Sequence, residues 1–383
     1  MMKKNSTALK RVRATTVCGL LLLSATACAA GTPDGRKTTT VGDGVRLTVL
    51  GPSVSRSAAY QRIDQITKLD GQTGLNWLSN QAVITSTVKI TSAAPEKGST
   101  TAPVVTSDIT SVLRLDTGST SDWEPGSSVQ WISPDQKHAF VTVFNKDKYD
   151  ASGYMLDLGS GKSVEIALEP GIIKGDWASR DSFTLADGSG SLLSIRTEGT
   201  VTPIPAKAAE SGILDLRQRD RSLYTLDGDG HLTLMPVNTP LQTTRLSQAR
   251  VTDFDISRDN RYAAIIENMS PSGADTSQEV LRLIDLHKPD EGVVIARGTL
   301  VECPAWSPDG SKLAFSIYTA GSGGLNGTYF MDLSSSQVVP VNDLAPPVYP
   351  VRWSPSSDRL MLTVNSSRKD QDSTTTYIYT FSQ

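Results

Sequence analysis

The chain is poor in the residues that most often carry chemistry. Its 383 residues hold three cysteines and three histidines. Cys18 lies in an N-terminal leader and Cys28 at its end, so Cys303 stands alone in the body and no intramolecular disulfide can brace it. Cys303 falls in an expected inner strand, where a thiol behaves as a small hydrophobe. His138, His231 and His287 fall in three different repeat units, beside turns or after a strand, which argues against a shared zinc site. No strongly periodic helical run occurs after the leader, so helical bundles and α/β layers are excluded. No Gly-x-Ser-x-Gly elbow is present, and Gly161-Lys162-Ser163 lacks the first glycine of a phosphate loop, where Leu156 stands. Asp227-Gly-Asp229-Gly230 lacks the downstream Glu of a calcium loop and reads as a hairpin turn. No metal, cofactor or catalytic constellation is therefore expected.

What is present starts with the leader. Lys3, Lys4, Lys10, Arg11 and Arg13 form a basic segment, and residues 17–27 an apolar run too short to span a bilayer. It closes on Leu23-Ser-Ala25-Thr26-Ala27-Cys28, which resembles the bacterial lipoprotein processing box. That resemblance implies residues 1–27 as signal peptide, Cys28 as the lipid-attachment site, and anchoring at the outer face of the cell membrane. Ala25-Thr-Ala27 also satisfies the ordinary cleavage rule, under which Cys28 would be incidental. Residues 28–44 lack an apolar cluster and read as a tether. Five of the 37 basic residues leave with the leader and none of the 40 acidic ones, so the net charge moves from −3 to about −8. A negative body argues against nucleic acid.

From residue 45 onward one unit repeats. Ser307-Pro-Asp-Gly310 and Ser354-Pro-Ser-Ser357 each follow a Trp; Ser133-Pro-Asp-Gln136 and Ser257-Arg-Asp-Asn260 follow an Ile. Apolar residues recur six and eight places after each serine, on one face of a following strand. In three units a Trp (Trp77, Trp131, Trp177) lies two places before the serine instead of one. A bulge or a different packing role would account for the shift. A third strand, such as Tyr329-Phe-Met-Asp332, and usually a fourth complete each unit. Seven units of about 40 to 55 residues predict an all-β, seven-bladed β-propeller, although spacing alone leaves six or eight blades open. The last unit stops after its third strand, so residues 45–50 are expected to close the ring as its fourth.

Loops between second and third strands share a face with the connections between units. Long segments there, 91–108, 268–278, 319–327 and 365–375, mark it as the expected binding face, with no individual binding residue identified.

The run Pro304-Ala-Trp-Ser-Pro-Asp-Gly-Ser-Lys-Leu-Ala-Phe315 resembles the repeat of TolB-type, WD-like propellers, and weaker copies extend the likeness over residues 45–383. It implies a protein-binding platform of the bacterial envelope. TolB has six blades behind an α/β domain, whereas seven blades and no such domain are read here; lipoproteins of the LpqB group are also similar. The expectation is a monomeric, membrane-anchored module that binds an envelope or secreted protein. The alternatives are an extracytoplasmic lyase or hydrolase, or a small-ligand sensor, working from the central channel.

Overall fold

The computed structural model describes residues 37–41, 45–49, 62–92, 104–123, 129–145, 150–169, 173–206, 211–240, 242–271, 277–320, 324–368 and 371–382. Cys28, the expected leader and most of the expected tether lie outside these.

Seven antiparallel sheets follow one another along the chain. Their innermost strands are Thr73–Ser79, Val129–Ile132, Lys174–Trp177, Ile213–Arg219, Arg250–Ile256, Leu300–Trp306 and Arg352–Trp353, and we number the blades one to seven in that order. Each second strand has neighbours on both sides, and residues near its middle are buried on both faces, as in Ala263-Ala-Ile-Ile266. The core lies in the wedges between blades. Phe140 and Met155 of blade two meet Trp177 and Phe183 of blade three; Ala264 and Leu281 of blade five meet Trp306 and Phe315 of blade six.

The ring closes on an N-terminal strand, but not on the expected one. Ile63–Asp70 pairs antiparallel with Gln371–Phe381 as the fourth strand of blade seven. A tight turn through Gly71 (φ +72°) then leads directly into blade one. Residues 45–49 instead form a hairpin with 37–41 that pairs in parallel with Gln337–Val338, at the outer edge of blade six. The closing strand packs Ile63 on the blade-seven cluster and Leu69 beside Trp77 and Val83, leaves Ile66 exposed, and enters blade one without a long crossing.

Two expected loops also contain strand. In blade seven the ladder continues from Asn365↔Thr374 to Arg368↔Gln371. In blade one it extends from Ala82↔Arg114 out to Ser92↔Val104. Both segments are rich in Ser and Thr, polar enough to read as loop yet with a β-branched residue that suits an exposed ladder.

The repeated serine has a structural role. Ser133, Ser257, Ser307 and Ser354 are buried. Each hydroxyl donates to an aspartate of its own turn (Asp135, Asp259, Asp309 and Asp358) at 2.6–2.9 Å. Each also accepts the N–H of the residue five places on, at 2.8–3.0 Å. The fourth turn position has positive φ in all four, at Gln136, Asn260, Gly310 and Ser357. The motif is a hydrogen-bonded hairpin corner.

Candidate functional site

The repeat fixes which side chains meet in the middle. Pairing with the second strands aligns Asn76, Trp131, Asp176, Arg217, Asp255, Ala305 and Arg352, one from each blade. All seven line a central cavity of about 640 Å³. The next residue turns the other way, into the wedge, and four of these are Trp. The indoles of Trp77, Trp177, Trp306 and Trp353 donate to the carbonyls of Arg352, Trp131, Asp255 and Ala305 in the preceding blade, at 2.9–3.3 Å. Four of the seven ring residues, Arg352, Trp131, Asp255 and Ala305, therefore hang from a backbone held by the next blade's tryptophan. This settles the shifted tryptophans. Trp77 keeps the wedge position because a bulge follows it, before Ser79. Trp177 keeps it because Ala178 and Ser179 both bond to Ser182 across a wider turn. Trp131 has turned to the channel and packs on Phe140 and Phe183, with ring centroids 6.1 and 5.5 Å away.

Blades three to five carry a closed ion-pair network. Arg217 donates from Nε to Asp255 at 3.0 Å and from Nη1 to Asp215 at 2.8 Å. Arg219 donates to Asp176 and to the Ile256 carbonyl, with Asp255 3.8 Å away. Asp176 and Asp255 also accept backbone N–H groups of the next blade, from Gln218 at 3.0 Å and Trp306 at 2.8 Å. Asp215 and Asp255 hold the Arg217 guanidinium well above its ordinary pKa against the effect of burial.

On the other side the charges are less matched. Arg352 of blade seven stands between Ala305 and Asn76 in the ring, and its guanidinium makes no hydrogen bond or ion pair among the described residues. Burial and the Arg217 guanidinium lower its pKa although Asp215 and Asp255 oppose them from across the channel, and an arginine stays charged. Lys174, one layer nearer the inter-blade connections, is likewise unpaired among the described residues. The cavity reaches from Tyr349 and Pro350 at that end to Pro308 at the other.

Two carboxyls beside the channel titrate near neutrality. Burial raises Asp253 to about 7 although Arg217 opposes it. Its carboxylate accepts the N–H groups of Phe254 at 2.8 Å and of Cys303, in blade six, at 3.2 Å. Burial, then the charge of Glu279, raises Glu302 to about 7, and its Oε1 is buried without a hydrogen-bond partner.

Cys303 is half-buried, lies in a strand irregularity with φ +55°, and has its thiol pushed up to about 12 by burial. It packs as a small hydrophobe, as expected, although on a strained backbone. His138, His231 and His287 stay apart on blades two, four and five, and none lines the cavity. Asp227, Asp229 and His231 do come together, with one ligand atom from each within 4.8 Å of the others. Turn geometry accounts for this, because Asp227 accepts the N–H groups of Asp229 and His231 just as Asp187 accepts those of Ser189 and Ser191.

The cavity residues were not singled out in the sequence. Their only signal is positional: each directly precedes the wedge residue of its first strand, a rule that needs the blades aligned by pairing.

No model of a known protein family matches the chain, and no curated protein sequence does. Solved structures match its fold. An oligogalacturonate lyase in complex with manganese is 11% identical, with 91% of this chain and 96% of that chain covered at a TM-score of 0.56. The oligogalacturonate lyase from Vibrio parahaemolyticus is also 11% identical, with 90% and 96% covered and a TM-score of 0.56. The Cps50 (Swd1) β-propeller domain from Myceliophteria thermophila is 11% identical, with 84% and 99% covered and a TM-score of 0.53. Such identities establish the shared architecture, a seven-bladed β-propeller.

Proposed function

We propose that this chain is an exported, TolB-like propeller lipoprotein, anchored through Cys28, that acts as a monomeric binding module of the cell envelope and receives its ligand in the central channel. The observation that carries the site is the convergence of Lys174, Asp176, Asp215, Arg217, Asp255 and Arg352 on one cavity. A propeller that used only a face for docking would not need charged groups at its axis, where desolvation is costly. A cavity of 640 Å³ has the size of a small-molecule site. The paired strands that extend blades one and seven lie on the connection side and offer a surface to a partner protein.

Native mass spectrometry of the soluble domain, after incubation with an envelope extract, tests the channel. Wild type should retain a small molecule, and Ala305→Trp, which fills the ring, should fold and lose it. Retention of the same species by Ala305→Trp would move the site elsewhere. Cys28→Ala should release the protein from the membrane fraction.

One observation favours a second reading, a channel enzyme of the lyase or hydrolase class. Asp253, raised to about 7, has the pKa of a general base working at neutral pH, and two fold neighbours are oligogalacturonate lyases. If a captured molecule is converted by wild type but only bound by Asp253→Asn, this reading replaces the first.

A further inference from the structure

We infer that Arg352 is the anion-receiving residue of the channel and that the ligand presents a single carboxylate to it, with a ring-shaped body against Trp131. The inference rests on the channel being the binding site and adds the ligand's chemical class.

The argument starts from charge matching. Arg217 and Arg219 each face two carboxylates at 3.8 Å or less. Arg352, at the same level of the same ring, has Ala305 on one side and the uncharged Asn76 on the other. A guanidinium cannot shed its proton to escape, and one held inside a protein without a counter-ion is costly. Its planar donor fork matches a carboxylate in a two-bonded pair. An anion bound there would remove that cost; Asp215 and Asp255 act on Arg352 only across the bore, and no described carboxylate forms a direct ion pair with it.

The number of charges limits the anion. Lys174, Arg217, Arg219 and Arg352 stand against Asp176, Asp215 and Asp255, an excess of one positive charge. Asp253 and Glu302, both ionising around neutrality, can only reduce it, so a monoanion is the most the site balances. A phosphate dianion would overshoot and meet the carboxylates of Asp215 and Asp255 across the bore.

The shape of the open side supplies the rest. Trp131 is half-buried, lines the cavity and lies two blades from Arg352, with Asn76 between them. A flat indole face beside an amide suits a ring that carries polar groups. Lys174, nearer the mouth, has no partner among the described residues and can guide the anion inward.

Thermal unfolding of the ligand-free soluble domain, titrated at constant ionic strength and pH 7.5 with glucuronate, acetate, glucose and inorganic phosphate, tests this. Glucuronate should raise Tm saturably, at a concentration about tenfold below that needed for acetate, while glucose has no effect. Arg352→Gln should fold with Tm unchanged or higher and need at least about tenfold more glucuronate, a loss of about 1.4 kcal/mol. Arg352→Lys should recover part of the response, keeping the charge without the fork. A glucuronate response undiminished in Arg352→Gln, a stronger response to phosphate than to glucuronate, or no saturable response of wild type to either carboxylate would overturn the assignment. Binding of glucose that Ala305→Trp abolishes and Arg352→Gln leaves intact would retain the channel as the site while removing the anion from it.

Discussion

Blades three, four and five place Asp176, Arg217 and Asp255 on the channel ring, whereas blades six, seven, one and two place Ala305, Arg352, Asn76 and Trp131 at the same level. The two arcs have the same backbone and the same pairing, yet their electrostatics differ. In the first, each arginine is satisfied by its own and neighbouring blades, so removing one partner strands another. In the second, one arginine has no protein partner among the described residues and stands next to a small side chain and an aromatic face. Matched charges on a ring stabilise its geometry; an unmatched one leaves room for something else. This contrast gives one arc a structural role and makes the other the place of the recognition proposed above.

Substitutions should separate the arcs. The largest effect is expected for Asp255→Ala, which removes a carboxylate shared by Arg217 and Arg219 and the acceptor of the Trp306 N–H. Breaking such a buried pair should cost about 3 kcal/mol in urea unfolding. Arg352→Met should cost less than about 1 kcal/mol or stabilise. If the two proved equal, the division into a closed and an open arc would fail.

Between the arcs lies Asp253, whose pKa of about 7 stands above the ~3.9 of an unfolded aspartate. The stability tied to its proton is complete below about pH 4 and is lost as pH rises through 7. Relative to Asp253→Asn, wild type should therefore lose on the order of 2–3 kcal/mol between pH 4 and pH 8, channel water lowering the figure. Parallel pH profiles for the two proteins would mean that the carboxyl titrates normally.

Smaller effects should be shared by both arcs. Trp353→Phe keeps the ring packing on Phe330 and Phe381 but leaves the Ala305 carbonyl without its indole donor. A loss of about 1–2 kcal/mol in unfolding free energy is expected. Gly310→Ala meets no neighbour within 4 Å but must keep φ +71°, so a cost of about 1 kcal/mol should appear as a Tm lowered by a few degrees.

Much of the ring was legible before folding. The Ser-Pro-Asp-Gly corners and the apolar alternation reveal the blades because each obeys a local rule: a turn needs a left-handed residue, and a buried strand needs side chains that pack. The closing strand was misread because residues 45–50 alternate more cleanly than 63–70, and only long-range pairing with 371–381 selects the latter. The channel residues escaped for a different reason. Arg217 is one charged residue among many until blades three and five bring Asp176 and Asp255 beside it. Trp131 looked like its fellow tryptophans, and a one-residue difference in register turned it from wedge to channel.

The sequence by itself determined the repeat, its hairpin corners, the apolar wedges and the basic-then-apolar order of its first residues, since all of these are written within a few neighbouring residues. Tertiary structure alone decided which seven side chains meet at the axis, which arginines find carboxylates, and which one does not. Those facts depend on contacts between strands 40 or more residues apart, where a charge acquires its meaning from the company that closure of the ring gives it.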